Sequence, residues 1–280
     1  MSYGPWRAFL LLATSALLLS AGRATPRGQE QSDQTVLVGA GDIANCDLPD
    51  SGAGAVATGK LIDSIPGNVF TVGDHAYPSG TADQFRDCYE PRWGKVKSRT
   101  RPSPGNHDLL TSNGKPYFDY FGEAAGPDRR GFYSYDLGKW HIVSLNSAIA
   151  ADNKSKQLEW LRKDLIEHHT TCTLAYWHIP VFSSGPHGAD IVVNGHDHDY
   201  ERFAQQNPGG KPDPKGIREF VVGTGGGGLY QFKQIRPNSE VHDNKSYGVI
   251  KFVLGESDYS WEFIPAVGQF HDSGTGACVP

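Results

Sequence analysis

TVLVGAGD (residues 35–42) and VFTVGDHAY (residues 69–77) share one plan, a run of β-type residues that ends in Gly-Asp. The pattern AVATGKLIDSI (residues 55–65) between them predicts a short helix. Strand, helix and strand in succession predict a βαβ unit with parallel strands. Because parallel strands end at the same edge of a sheet, we expect Asp42 and Asp74 to lie close together.

Three later segments repeat this arrangement of polar groups. Gly105-Asn106-His107-Asp108 is one, His178 follows the strand-like run 173–177, and Gly195-His196-Asp197-His198 follows the run 191–194. Carboxylates, an amide and imidazoles, without clustered thiolates, suit iron, manganese or zinc. The sequence therefore predicts a metal site at the carboxyl edge of a sheet.

The remaining segments predict one mixed α/β domain over residues 35–270 and a C-terminal tail over residues 271–280. Residues 111–130 are rich in Gly, Pro, Asp and aromatics, which indicates an ordered loop. Further elements are a hairpin with its turn at Gly138-Lys139, an amphipathic helix over Lys154–His169, a strand over Glu219–Val222, and closing strands over Tyr247–Leu254 and Tyr259–Ile264.

The first 24 residues are typical of a signal peptide. Arg7 precedes the apolar run Ala8–Ala21, and small residues follow it. The run is short for a membrane span, and an uncleaved signal anchor is the alternative. Both interpretations send the domain across a membrane, so we expect a secreted or extracytoplasmic protein with no stable span after signal removal. Residues 25–34 are polar and predict a flexible lead-in.

Charge and cysteine content bear on the binding partners and on the disulfides that we expect. The formal net charge is −5 and the chain has no basic run, so we expect no nucleic-acid partner. An even number of cysteines in an exported protein predicts one or two disulfides, with free buried thiols as the alternative. Cys46 and Cys88 follow the first two ligand motifs closely and are the pair we expect.

The ligand types also suggest how such a site would work. Two metal ions close together need a bridging carboxylate with donors on both sides, and Asp74 is the natural bridge. Such a pair polarises a phosphoryl oxygen and binds water as hydroxide. His107 directly follows Asn106 and is placed to face a substrate, with Asp108 fixing its tautomer. The plainer alternatives are a turn at each Gly-Asp and a core histidine at His178.

Taken in order, these motifs resemble the calcineurin-like metallophosphoesterases, and within them the purple acid phosphatases. The resemblance covers roughly residues 35–265. Asp42-Ile43-Ala44 lacks the histidine that most of these enzymes place two residues after the aspartate. Tyr77 stands where purple acid phosphatases place a tyrosinate bound to ferric iron. The resemblance implies a sandwich of two mixed β-sheets flanked by helices.

The same resemblance implies roles for individual residues. One metal, Fe(III), would take Asp42, Asp74, Tyr77 and His198, and a divalent iron, zinc or manganese ion would take Asp74, Asn106, His178 and His196. His107 would stabilise the pentacoordinate phosphorus or protonate the leaving alkoxide. His187 resembles a second histidine facing the substrate, and a solvent-exposed loop histidine is its alternative. Thr224–Gly228 (TGGGG) resembles a glycine-rich turn that allows close backbone packing.

One segment departs from the family pattern. Residues 179–189 (IPVFSSGPHGA) connect His178 to Asp190, where family members usually carry a further helix. A parallel crossover normally needs a dozen or more residues. We therefore expect either an extended crossover or a shortened version of a longer protein.

The leading functional hypothesis is an exported binuclear-metal phosphatase that hydrolyses small phosphate monoesters by attack of a metal-bound hydroxide. One alternative is a phosphodiesterase acting on nucleotides or phospholipids, because the ligand set does not separate the two reactions. Another is a catalytically impaired secreted binding protein that keeps the fold.

Overall fold

The computed structural model describes residues 35–47, 51–152, 154–168, 170, 172–180 and 189–279, which belong to one compact unit, Asp33–Pro280. The predicted signal peptide, the predicted lead-in and His187 lie outside the described residues. None of the helices in the described residues has the length and apolar content that a bilayer crossing requires.

The described residues form fifteen strands and five α-helices, besides short 3-10 and π turns. The strands are β1 Thr35–Ala40, β2 Ala44–Asn45, β3 Asn68–Val72, β4 Ala76–Tyr77, β5 Thr100–Ser103, β6 Tyr133–Leu137, β7 Trp140–Ser144, β8 Cys172–Tyr176, β9 Ile191–Asn194, β10 Tyr200–Phe203, β11 Arg218–Val222, β12 Ser239–Asp243, β13 Tyr247–Leu254, β14 Asp258–Val267 and β15 Asp272–Ala277. The helices are α1 Ser51–Ser64, α2 Ala82–Gln84, α3 Glu90–Trp93, α4 Lys115–Phe121 and α5 Lys156–Glu167.

Two large mixed sheets organise these strands. The first has the order β15-β14-β13-β1-β3-β5, and the second β12-β10-β11-β9-β8-β7-β6. β1, β3 and β5 are parallel to one another, as are β7, β8, β9 and β11. The predicted α/β class with two mixed sheets is therefore confirmed, as is the parallel pairing of the first two strands around α1.

The core lies between the two sheets. Phe70 on β3 meets Tyr176 on β8 with ring centroids 5.5 Å apart, and Phe220 on β11 meets Phe252 on β13 at 5.4 Å. Aromatic pairs at this separation add about 0.5–1.5 kcal/mol each beyond the area they bury. These contacts fix the position of one sheet relative to the other, and with it the positions of the strand ends that carry polar residues.

Helix α5 covers the outer face of the second sheet. Its residues Trp160, Leu161 and Leu165 pack against a cluster that includes Val143 of β7 and Val192 of β9. Ser155 caps the helix by accepting a hydrogen bond from the Leu158 amide, which provides a partner for one of the free amide groups at its start.

Two segments differ from the sequence-based expectation. Residues 111–130 are not simply a loop, because they contain α4, which buries Tyr117, Phe118 and Phe121. Residues 272–277, assigned to a tail, form β15 against β14, so the domain extends beyond residue 270. The glycines in β15 lie against aromatic rings: a Cβ at Gly274 would come within 2.4 Å of Trp261. The strand was not predicted because glycine is unfavourable inside strands.

The expected Cys46–Cys88 disulfide is confirmed, with Cα atoms 5.8 Å apart. A second disulfide joins Cys172 at the start of β8 to Cys278 after β15, with Cα atoms 5.3 Å apart. The free-thiol alternative is therefore wrong, and the second bond attaches the end of the chain to the second sheet.

Candidate metal centre

The polar groups after β3, β5, β8 and β9 converge. Nε2 of His178 lies 3.2 Å from Oδ2 of Asp74 and 3.0 Å from Oδ1 of Asn106. Nδ1 of His196 lies 3.2 Å from the same His178 nitrogen. Two sheets thus contribute to one group of four side chains, although residues 181–188, between β8 and β9, lie outside the described part.

A second group lies beside the first. The Tyr77 hydroxyl donates a hydrogen bond to Oδ1 of Asp42 at 2.7 Å and lies 2.9 Å from Nε2 of His198. His198 Nε2 is 3.2 Å from the same Asp42 oxygen. Ligand atoms of Asp42, Asp74 and His178 all lie within 4.8 Å of one another, so the two groups adjoin.

Backbone strain accompanies this convergence. Asp42, Asp74 and His196 have φ values of 58°, 53° and 71°, in the left-handed region, which costs a non-glycine residue about 1–3 kcal/mol. The turns are held by hydrogen bonds, among them the His196 amide to Oδ2 of Asp42 at 2.8 Å. A Cβ at Gly105 would come within 2.1 Å of Oδ1 of Asp74, so only glycine fits there.

Two imidazoles are oriented by backbone carbonyls. Nδ1 of His178 donates to the Val72 carbonyl at 2.7 Å, and Nδ1 of His198 donates to the Gly228 carbonyl. Both rings therefore present Nε2 to the centre, as metal-binding histidines do when the other nitrogen is held by an acceptor. Gly228 lies in the glycine-rich turn, where a Cβ at Gly226 would come within 2.3 Å of Ala55 N, so the predicted close backbone packing is confirmed.

The electrostatics of the centre favour a cation. Burial alone raises the pKa of Asp74, but its hydrogen bond to His178 and the nearby imidazole charges outweigh burial and lower the pKa to about 2. Burial lowers the pKa of His178, and the Asp74 carboxylate outweighs it and raises the pKa to about 9. Burial and the Asp42 and Asp74 carboxylates raise the pKa of Tyr77 far above its usual value. A Tyr77 phenolate therefore needs a positive charge beside it.

The donor set fits a pair of metal ions. Carboxylate, amide, imidazole and phenol groups occupy two adjoining groups with Asp74 near the boundary, and this mixture suits iron, zinc or manganese. The division into two groups parallels the two ligand sets that the resemblance implies. The assignment of each residue to a metal stays a prediction.

Comparison with known proteins shows which proteins the chain resembles. No family model matches the chain. Over 219 residues it is 30% identical to purple acid phosphatase 15 of Arabidopsis thaliana, covering 59% of this chain and 41% of the relative. It superposes on a purple acid phosphatase from yellow lupin (Lupinus luteus) seeds with a TM-score of 0.73 at 19% identity, covering 88% of this chain and 54% of the other. The chain is thus similar in sequence to purple acid phosphatases over part of its length and shares their fold.

The extent of the similarity matters for function. The chain spans about two fifths of the length of purple acid phosphatase 15. The fold also matches an anchor protein of the Plasmodium inner membrane complex, with a TM-score of 0.64 at 12% identity over 88% of this chain and 89% of the other. One fold thus serves proteins with different roles, and the activity has to be argued from the site.

His107 lies on the exposed side of the centre. About one third of its side chain is exposed, and Nδ1 donates to the Pro78 carbonyl at 2.6 Å. Nε2 lies 3.9 Å from Oδ2 of Asp74, and the ring packs against Tyr77 with centroids 4.6 Å apart. This placement suits the predicted substrate-facing role, which stays a prediction, as does the role of His187.

Asp108 lies on the other side of the turn, and the expected Asp108–His107 pair is wrong. Asp108 is fully buried and accepts hydrogen bonds from the amides of Asp74, His75 and Gly105 at 2.9–3.0 Å. Its Oδ2 also lies 2.8 Å from Nδ1 of His75. The side chains of His107 and Asp108 point in different directions. Asp108 therefore positions the loops that carry the ligands, and it does not orient the His107 ring.

Sequence reasoning missed His75. This histidine is fully buried, and Nε2 lies 2.7 Å from the Thr71 hydroxyl. Its ring is packed among aromatic side chains, those of Phe85, Tyr89, Tyr117 and Phe121. The Gly-Asp-His motif contains the residue, but no local pattern distinguishes a histidine that supports a ligand loop from one that enters the site.

Proposed function

We propose that the protein is an exported phosphatase that uses two metal ions to hydrolyse small phosphate monoesters. The observation that supports this most strongly is the meeting of two adjoining donor groups at one edge of the sandwich, with Asp74 near their boundary. The similarity to purple acid phosphatases agrees with it. The two disulfides agree with an extracytoplasmic location.

Each donor group would hold one ion. Asp42, Tyr77 and His198 would hold Fe(III), the group of Asn106, His178 and His196 would hold a divalent iron, zinc or manganese ion, and Asp74 would serve both. When bound, such a pair neutralises phosphoryl charge and lowers the pKa of a nucleophilic water. The buried carboxylates and oriented imidazoles fix the donor positions in advance.

His107 would act on the leaving group. The Pro78 carbonyl holds Nδ1–H, so Nε2 faces the mouth of the centre. A protonated Nε2 there would stabilise charge on the phosphoryl oxygens and donate its proton to the departing alkoxide. His187 is the proposed second substrate-facing histidine.

The test combines metal analysis with turnover of an aryl phosphate monoester and the corresponding diester on a single preparation. We expect two metals per chain, turnover of the monoester, and a visible tyrosinate–iron(III) absorption band that Tyr77→Phe abolishes. Asn106→Ala and His196→Ala should each lower turnover more than about a hundredfold, beyond the loss typical for outer-shell partners. The exposed His271→Ala is the matched control.

Different outcomes contradict different parts of the proposal. Full turnover in Asn106→Ala or His196→Ala would overturn the site assignment. Colourless active protein loaded with zinc or manganese would exclude iron and keep the phosphatase. Faster turnover of the diester would favour a phosphodiesterase, and protein without metal or turnover would favour a binding protein.

A further inference from the structure

Tyr230 lies flat on the proposed ligand His198. The two ring centroids are 3.9 Å apart and the ring planes differ by 7°. The Tyr230 amide donates to the His198 carbonyl at 3.0 Å, and Nδ2 of Asn244 donates to the Tyr230 carbonyl at 2.8 Å. The backbone on both sides of the ring is therefore fixed, and one ring face is covered by His198.

The remaining surface of Tyr230 is open. The side chain is 53% exposed, and it is the only aromatic among the large hydrophobic residues that are exposed in the described part of the chain. A tyrosine ring carries a large apolar area together with a polar hydroxyl, and such rings are enriched at interfaces. A half-exposed ring with a fixed backbone is suited to packing against a bound molecule.

The open surface of Tyr230 lies beside the proposed metal centre, because the ring is stacked on His198. Nε2 of His198 lies 3.2 Å from Oδ1 of Asp42. The ring therefore borders one of the two donor groups. The ring is part of the rim of the proposed site, where a leaving group would project away from the buried donors.

We propose that Tyr230 forms the wall of a leaving-group subsite and selects phosphate esters of flat aromatic or heteroaromatic alcohols over those of short alkyl alcohols. The inference rests on the phosphatase function proposed above. A flat leaving group can stack on the open face of the ring, whereas a short alkyl group offers too little area for that contact. Tyr230 is thus a specificity-determining residue beside His198.

The experiment measures binding of two non-hydrolysable probes, phenylphosphonate and methylphosphonate, to the metal-loaded protein by calorimetry. We expect the wild-type protein to prefer phenylphosphonate. Tyr230→Ala and Tyr230→Leu should lower the phenyl-to-methyl affinity ratio about three- to tenfold, the size of one aromatic contact. Tyr230→Phe should keep the ratio, and Ile166→Ala, at an exposed apolar position on α5, is the matched control.

Comparing the two probes separates selectivity from support of His198. Loss of His198 support would weaken both probes equally, so an equal decrease in Tyr230→Ala would overturn the proposal. An unchanged ratio, a wild-type protein without preference, or a loss in Tyr230→Phe as large as in Tyr230→Ala would also overturn it. Turnover of phenyl phosphate is measured separately, so a protein that keeps the Tyr230-dependent preference without hydrolysis would refute the phosphatase proposal alone.

Discussion

At the residue scale, Asp108 shows how one buried carboxylate organises two ligand loops. Its carboxylate accepts hydrogen bonds from the backbone amides of Asp74 and Gly105. Asp74 is itself a proposed ligand, and Gly105 directly precedes the proposed ligand Asn106. His75 adds a further donor at 2.8 Å. A carboxylate has the lone pairs for all of these donors and carries no donor of its own.

Asp108→Asn tests this role. The amide replaces one acceptor oxygen with an NH₂ group that faces N–H donors, so we expect the free energy of unfolding to fall by about 2–3 kcal/mol. Urea denaturation measures the loss, and metal content should fall with it. Asp63→Asn is the control, because Asp63 is exposed and its contact with Lys95 at 3.6 Å is worth less than about 1 kcal/mol. Equal losses in both variants would contradict the role.

The sequence predicted which side chains would meet at the centre, because Asp42, Asp74, His178 and His196 each follow a recognisable strand. It did not predict the partner of Asp108. That partner depends on the direction of a side chain within a turn, which is set by positive φ values at residues such as Asp74 and by contacts with the next loop. Such contacts join residues far apart in sequence.

At the element scale, a buried histidine joins α5 to the second sheet. His141 on β7 lies between Oδ1 of Asp136 on β6 at 2.9 Å and Oδ2 of Asp164 on α5 at 2.8 Å. Burial lowers the pKa of His141, but the Asp164 and Asp136 carboxylates outweigh it and raise the pKa above its usual value. The imidazolium form therefore stabilises this contact between three elements.

His141→Gln should consequently have a pH-dependent effect on stability. Because the folded pKa is raised, the stabilisation is complete below the unfolded value of about 6.5 and is lost as pH rises through the folded value. We expect the variant to lose about 2 kcal/mol at pH 5 and clearly less at pH 9. Thermal unfolding of wild type and variant at both pH values measures this. A loss that is independent of pH would show that only packing is involved.

Periodicity located most elements but not all. α5 carries a clear apolar pattern, the hairpin of β6 and β7 has a recognisable turn, and both were predicted near their observed bounds, whereas α1 begins four residues before its predicted start. The helix α4 was missed because its seven residues are flanked by glycines and contain Pro116. Proline is compatible with the first turn of a helix. In so short a segment, however, a proline close to glycines is also typical of a turn. β15 was missed because glycine is unfavourable inside a strand, and only the structure shows that Gly274 and Gly276 pack against Trp261 and Tyr259.

At the scale of the whole molecule, metal binding should couple to global stability. Ions that bind the native state alone add RT ln(1 + [L]/Kd), about 2.7 kcal/mol at a hundredfold excess over Kd. We expect chelation to lower Tm by several degrees in the wild type. His196→Ala, which removes a proposed ligand, should show a much smaller shift, and His271→Ala should respond like wild type. Equal chelator effects in all three proteins would contradict metal binding at this centre.

The pairing of β1 with β13 has a consequence for synthesis of the chain. Thr35 pairs with Leu254, so the N-terminal strand gains one of its two neighbours from the C-terminal hairpin, which also brings β15 into the sheet. While the chain is being translated, one edge of β1 has no partner until residues 247–254 have emerged from the ribosome. A nascent chain therefore exposes this sheet edge until residues 247–254 have emerged, and shielding by a chaperone would be most valuable during that interval.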